Sequence, residues 1–385
     1  MEKKIDCLHF NGYKPCGFNE ICDSSCSYYT KKQMRILVVH LEAMGAVLRA
    51  SSILKPLKRK FPNSSIHWVT KAPSHQFFKN NIFVDKTYAL NQTTELELLA
   101  QEFDVVFCID KSKEAVGLSN RVKTELTYGF GSSSNGAIVP LNQEAHELWE
   151  IGLSDHLKFK VNEKTETQLM TEALGLEWRR DNYMVHLSAD ELDLSFQRRL
   201  SWSEQGQKKI IGINTGCANV VRYKRLTDAK QLELVRAIEK NFEVSIVLLG
   251  GPDDTERNQS LAARTDSIAS PTRKGVRDGM VSIASCDLVI SGDSLGMHMA
   301  IALKKPVIAW FGPTCTQEID LYDRGQKITT NLDCGPCWKR SCSLEVKCNE
   351  LQSIKPFLVA IHEELFSVER SHAFNFVFET EKIFD

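Results

Sequence analysis

Ile290-Ser-Gly-Asp-Ser-Leu-Gly-Met-His-Met-Ala-Ile-Ala-Leu-Lys-Lys-Pro-Val-Ile-Ala-Trp-Phe-Gly-Pro-Thr314 is the stretch on which the fold turns. Asp287–Ser291 reads as a buried strand, Gly292–Ser294 as a tight turn, Leu295–Leu303 as a helix and Pro306–Phe311 as the next strand. Strand, helix and strand in that order imply a parallel sheet with both faces covered. The turn then sits at the carboxyl end of a strand, where open α/β sheets bind ligands. A helix start there offers unpaired N–H groups and the positive end of a dipole, which suits phosphate. Gly292 and Gly296 let an anion come close to the backbone, and His298 can donate to a phosphate oxygen, more strongly if cationic. Asp293 opposes a phosphate by charge, so it suits a helix cap or an acceptor for sugar hydroxyls or a lysine. The plain alternative is a well-capped crossover helix with an incidental histidine.

The same pattern extends on both sides. Lys209-Ile-Ile-Gly-Ile-Asn214 is a strand, followed by the small residues Thr215 and Gly216 and the basic residues Arg222, Lys224 and Arg225. Thr227 or Asp228 caps a helix carrying Leu232, Leu234, Val235 and Ile238. Val244–Leu249 is a strand that ends in Gly250-Gly-Pro-Asp-Asp-Thr-Glu256, whose carboxylates suit ribose or sugar hydroxyls. Three strand-end loops on one edge favour a nucleotide pocket. Earlier in the chain, Arg35–His40, Ser65–Thr70 and Asp104–Ile109 read as strands, and a helical spacing runs from Val47 to Phe61. A helix at Glu166–Leu174 and a strand at Tyr183–Leu187 are predicted in the more polar 112–206 region, and Ile354–Phe366 reads as a helix packing back across the molecule. The expected division is 1–33 as a Cys-rich cap, 34–200 and 201–353 as two doubly wound α/β domains, and 354–385 as a helical segment.

Composition narrows the function. The chain has 385 residues, 42% hydrophobic and 25% charged, with a net charge of −1. That supports two domain cores and gives no global basic excess for nucleic acid. The N-terminus lacks the apolar core of a signal peptide, and no apolar run is long enough to cross a bilayer. The expectation is a cytoplasmic protein. Arg49, Lys55, Lys58, Arg59 and Lys60 would steer an anionic acceptor or a lipid surface, or else form a solvated helix face.

Of the 12 cysteines, eight fall in two groups. Cys334, Cys337, Cys342 and Cys348 place four soft ligands within 15 residues, with Gly335 and Pro336 shaping a knuckle. Four thiolates suit zinc, iron or an iron–sulfur cluster; free or redox-active thiols are the alternative. Cys7, Cys16, Cys22 and Cys26 are more widely spaced, in a segment too poor in apolar residues to build a core, which suggests a metal-organised cap. Both groups read as structural. Cys108 reads as a small buried hydrophobe.

Taken together, Asn214-Thr-Gly, Lys224, Gly250-Gly-Pro…Glu256, Ser291-Gly-Asp-Ser-Leu-Gly-Met-His298 and Phe311-Gly-Pro-Thr314 resemble glycosyltransferase family 9, the ADP-heptose:lipopolysaccharide heptosyltransferases. The likeness runs from about Arg35 to the C-terminus and is strongest over 210–350. Leu332-Asp-Cys-Gly-Pro-Cys-Trp-Lys-Arg-Ser-Cys342…Cys348 resembles the cysteine segment of some members. The resemblance implies the GT-B architecture, two doubly wound Rossmann-like domains facing a cleft, with acceptor bound first in sequence and donor second. It implies inverting transfer from a nucleotide-activated heptose such as ADP-heptose onto a cell-envelope saccharide or glycolipid, without a catalytic divalent metal. An enzyme of this kind would sit in the cytoplasm or at the periphery of the inner membrane. By resemblance, Asn214, Thr215, Gly216, Lys224 and Glu256 belong to the donor nucleotide, and Asp293, Ser294, Gly296 and His298 to diphosphate and sugar. The family's first turn usually ends Met-Gly-Asp, with the aspartate as base; here it is Met44-Gly45-Ala46. Asp110 and Glu42 are the substitutes expected near that turn. The rival readings are a nucleotide-sugar-binding protein impaired in catalysis and a metal- or redox-sensing protein on the same scaffold.

Overall fold

The computed structural model describes residues 3–367 apart from Leu8, Ser24, Lys32 and Asn331. The final part of the expected 354–385 segment, from residue 368 onward, lies outside the described residues.

The first half forms a six-stranded sheet from β1 (Met34–Val39), β2 (Ser64–Thr70), β3 (Lys86–Ala89), β4 (Glu102–Cys108), β5 (Lys123–Ser132) and β6 (Ile138–Pro140). Its order is β3-β2-β1-β4-β5-β6, parallel except for the antiparallel β5–β6 edge. The second half forms another six-stranded sheet from β7 (Lys209–Asn214), β8 (Val244–Leu249), β9 (Ile268–Ala269), β10 (Leu288–Gly292), β11 (Val307–Phe311) and β12 (Gly325–Thr329). Its order is β12-β11-β10-β7-β8-β9, with neighbouring strands paired in parallel. The quoted stretch therefore supplies β11 and the end of β10, the strand that pairs with β7. Among the described residues no helix is long and apolar enough to cross a membrane.

β1, β7 and β10 are continuous apolar runs because helices cover both faces of each sheet. The helix Leu295–Ala302 is buried almost all round, at Gly296 through Ala302. It has no polar face because it packs on its own sheet and also on the helix Met44–Ala50 of the first half. Gly45 makes that crossing possible: a β-carbon there would stand 2.6 Å from His298 Cδ2. One apolar cluster runs from Ile36 and Phe107 through Leu48 to Met297 and Ile301, joining the two halves. A second, around Trp310 and Ile290, lies on the other face of the second sheet and is closed by Phe357, Leu358 and Ile361 of the helix Lys355–Leu365. That helix covers its own sheet instead of reaching back across the molecule.

Three other local expectations change. The helical spacing over 47–61 is realised as two helices, Met44–Ala50 and Leu54–Lys60, joined by a tighter turn at Ser51–Ile53. Pro56 has no N–H for the Ser52 carbonyl, which breaks a single regular helix. Tyr183–Leu187 is extended but pairs with no strand. Its backbone groups are met by side chains instead: Met184 N donates to Ser51 Oγ at 2.8 Å, Asn81 Nδ2 to the Met184 carbonyl at 2.8 Å, and Arg277 to the His186 carbonyl at 2.7 Å. The basic run is split: Lys55 and Lys60 are exposed, as a solvated face would be, while Arg49 faces Glu166, Arg59 forks onto Asp181, and Lys58 and Lys60 donate to the Ser64 and Gly175 carbonyls.

Candidate active site

The loops after β7 and β10 are tied to each other before any ligand arrives. Asn214 Nδ2 donates to Ser294 Oγ at 2.9 Å and to the Gly216 carbonyl at 2.9 Å, and Ser294 Oγ also meets Ser291 Oγ at 3.0 Å. Gly296 is required by this brace, because a β-carbon would stand 2.5 Å from Asn214 Cγ. Gly216 is held as closely, against the Asp254 carboxylate. Ser294 opens the helix Leu295–Ala302, and no side-chain cap occupies the helix's first N–H groups. Thr215 is buried and donates its hydroxyl to Asn258 Oδ1 at 2.5 Å, so that hydroxyl is spent on the floor of the loop.

Asp293 sits at the centre. Lys224 Nζ lies 2.9 Å from its Oδ2, and His298 Nε2 lies 3.8 Å from its Oδ1. Burial alone would raise the Asp293 carboxyl, but the adjoining Lys224 ammonium and then His298 hold it below its ordinary value. It is thus an ionised acceptor for a lysine, one of the roles open to it from sequence. His298 differs from expectation. Burial, reinforced by the nearby Arg49 charge, pushes its imidazole down to about 3 against the opposing pull of Asp293. A neutral imidazole stands here, stacked on Tyr183 at 6.0 Å between ring centroids. Lys224 is brought in by backbone contact, since a β-carbon on Gly292 would collide with the Lys224 carbonyl oxygen. Glu256 is exposed in the first turn of the helix Thr255–Ala262.

Across the interface, the two carboxylates expected near the Ala46 turn occupy different settings. Asp110 is buried, accepting Leu41 N at 2.8 Å and Glu42 N at 3.1 Å on Oδ2 and Ser112 N at 2.7 Å on Oδ1. Burial works against the charge, yet His40 and these N–H groups hold the carboxyl far below its usual range. Glu42 is exposed and paired with Lys71, which also binds Glu114 at 2.6 Å. Asp110 therefore fixes the backbone of the turn from which Glu42 projects.

Several residues that periodicity did not single out for the cleft converge there. Arg49 is one turn beyond Ala46 and lies 3.5 Å from Glu166, while Glu318 is buried 3.4 Å from Lys158. Burial, then the Glu166 charge, raises the Glu318 carboxyl. The three-residue spacing of Ala46 and Arg49 puts both on one helix face, a signal available in the sequence. Glu318 and Tyr183 carry no such signal, as long-range packing alone delivers them.

The eight clustered cysteines are all unpaired thiols. Cys7, Cys16, Cys22 and Cys26 line a common hollow of about 340 Å³. Burial first, with added repulsion from Cys337, Cys342 and Cys334, pushes the Cys348 thiol up to about 11. Yet among the described residues no three His, Cys, Asp or Glu side chains meet in an arrangement that would hold a metal ion. The metal-centre expectation for both groups is not met by the side chains as they stand. Cys108 is wholly buried, its thiol pushed by burial to about 12.

Comparison with known proteins accords with this geometry. Lipopolysaccharide heptosyltransferase 1 of Campylobacter coli is 24% identical over 324 residues, spanning 77% of this chain and 91% of that protein. Lipooligosaccharide heptosyltransferase 2 of Campylobacter jejuni is 29% identical over 337 residues, 83% of this chain and 95% of that protein. The solved structure of Escherichia coli ADP-heptose lps heptosyltransferase II superposes with a TM-score of 0.62 at 17% identity, covering 86% of this chain and 99% of that one. The shared fold is GT-B: two Rossmann-like α/β domains facing one another. The profile of glycosyltransferase family 9 (heptosyltransferase) matches residues 93–347. The chain belongs to glycosyltransferase family 9.

Proposed function

We propose that this protein transfers a heptose from ADP-heptose, with inversion, onto a saccharide or glycolipid of the cell envelope. One observation carries the proposal: Lys224 and His298 converge on the two oxygens of Asp293 at the uncapped start of a buried helix. A departing diphosphate gains charge in the transition state, and a preorganised ammonium beside helix N–H groups stabilises it there. Lys224 supplies that charge, so no divalent cation is assigned to the transfer step. His298 donates a neutral hydrogen bond, Asp293 orients Lys224 and accepts from the sugar, and Glu256 is free at the cleft for the nucleoside. Asn214, Thr215, Gly216, Ser294 and Gly296 keep the floor rigid. The choice of substrate is supported by the similar proteins, two of which are heptosyltransferases and one an ADP-heptose heptosyltransferase.

Ala46 cannot take a proton, so the base is assigned to Glu42, which is exposed and ionisable on the adjacent turn. Asp110, saturated by three N–H groups, positions that turn. The test is ADP release with heptose-acceptor saccharides. Lys224→Ala should weaken ADP binding about tenfold or more with the fold intact, and Glu42→Gln should slow turnover at least a hundredfold while sparing ADP affinity. Full turnover by Glu42→Gln moves the base to Asp110. Tight ADP binding with no turnover on any acceptor favours the second reading, a nucleotide-sugar-binding protein, which Ala46 itself suggests. Turnover should be equal with and without added magnesium.

A further inference from the structure

The four-cysteine segment, residues 334–348, packs against the lysine assigned to the donor. Three consecutive residues are held by it. The Cys342 backbone amide faces the Tyr223 hydroxyl, the Trp338 ring lies 4.3 Å beneath Lys224 Nζ, and Asn349 Nδ2 donates to the Arg225 carbonyl at 3.0 Å. Trp338 also carries Lys158 Nζ at 4.6 Å, a lysine from the first half of the molecule that is paired with Glu318. One indole therefore touches a cation from each side of the cleft.

The loop is shaped to present that ring. Cys337 N and Trp338 N both donate to the Pro313 carbonyl, at 2.9 and 2.8 Å, just after the β11 strand end. Trp338 adopts a φ of +51°, a left-handed conformation that a bulky residue takes only when its surroundings demand it. Cys348 packs against Gly312, where a β-carbon would stand 2.8 Å from its sulfur. The backbone bonds to Pro313 and the Cys348 sulfur against Gly312 thus hold the segment that carries Trp338, and Trp338 together with Asp293 holds the Lys224 ammonium.

We infer that Trp338 is a positioning residue for the donor diphosphate, through which the state of the four-cysteine segment sets nucleotide affinity. This rests on the donor reading of Lys224 proposed above. A lysine held between an aromatic face and the Asp293 carboxylate has its charge fixed from two sides, whereas without the ring Asp293 is the restraint that is left.

Titration calorimetry with ADP on the full-length protein tests it. Trp338→Ala should weaken ADP about tenfold, and Trp338→Phe, which keeps an aromatic face, less than threefold. Cys348→Ala, which removes the sulfur packed against Gly312, should weaken ADP about as much as Trp338→Ala, and the double variant no more than either single one. ADP should also change the tryptophan emission of the parent protein, and Trp338→Phe should abolish that change. Should Trp338→Ala misfold, the emission experiment on the Phe variant decides alone. Parent-like ADP affinity in Trp338→Ala alongside a weakened Lys224→Ala overturns this inference only. Parent-like affinity in both overturns the donor pocket itself. An emission change that persists in Trp338→Phe, or a double variant much weaker than either single one, also rules out the coupling.

Discussion

At the scale of single residues, the site depends on which groups are charged. His298 is neutral because burial outweighs the attraction of Asp293. Between the ordinary imidazole value of 6.5 and about 3, the unfolded chain binds a proton that the folded chain refuses. The contribution of this residue to stability is therefore full above 6.5 and is lost as pH falls toward 3. Melting curves from pH 7.5 to 4 should show a steady drop, shallower in His298→Gln. His298→Gln should also keep ADP affinity within a few-fold, because it still offers a neutral donor, whereas His298→Ala loses about fivefold. An ADP affinity that titrates with a midpoint near 6.5 in the parent and not in the Gln variant contradicts a neutral His298. The identities of Asp293, His298 and Lys224 were legible from strand, turn and helix order, since such turns gather ligands whatever the family. Their protonation was not: the imidazole's state depends on Tyr183 and Arg49, which sequence distance separates from it by 115 and 249 positions.

At the scale of elements, the crossing of the helices Met44–Ala50 and Leu295–Ala302 is the tightest joint, with Gly45 lying against His298. Gly45→Ala should destabilise the protein by about 1–3 kcal/mol through overpacking and weaken ADP in parallel. Parent-like melting would show that the joint yields. The helix Ala189–Trp202 gives an independent check, as Ser188 and Glu191 form a reciprocal cap at its start. Ser188→Ala should cost about 1 kcal/mol without touching ADP affinity. Elements such as β1, β7 and β10 were legible because continuous apolar runs have one solution in a covered sheet. Tyr183–Leu187 shows why others were not: its composition asks for a strand, but Ser51, Asn81 and Arg277 reach its backbone groups first. That Arg49 and Arg59 leave the solvated face of the basic run was not legible, because their partners, Glu166 and Asp181, lie more than a hundred positions away.

At the scale of the whole molecule, the two sheets share one apolar core with a small charged cluster set into it. Arg49 neutralises Glu166 and stands near Glu318, whose carboxyl burial holds above its ordinary value. Arg49→Ala leaves carboxylates without their counter-charge inside this joint and should cost on the order of 3 kcal/mol at pH 8. The loss should shrink as pH falls and Glu318 takes up a proton. A loss that grows on acidification would assign the cluster another balance. Two doubly wound halves were legible because each repeats the same alternation, and their GT-B arrangement was implied by the family resemblance; the way the halves close was not legible, since it depends on pairs such as Arg180 with Asp320 and Asp323.

The unpaired Tyr183–Leu187 stretch also offers a gauge of motion. Its Met184 amide is held by Ser51 on one half, while the carbonyl of His186 is held by Arg277 on the other. Neither bond belongs to a ladder, so deuterium enters at Met184 when this strap lets go of Ser51. Its exchange rate, read with and without ADP, reports whether nucleotide tightens the strap that Arg277 ties to the other half, without any label added to the protein.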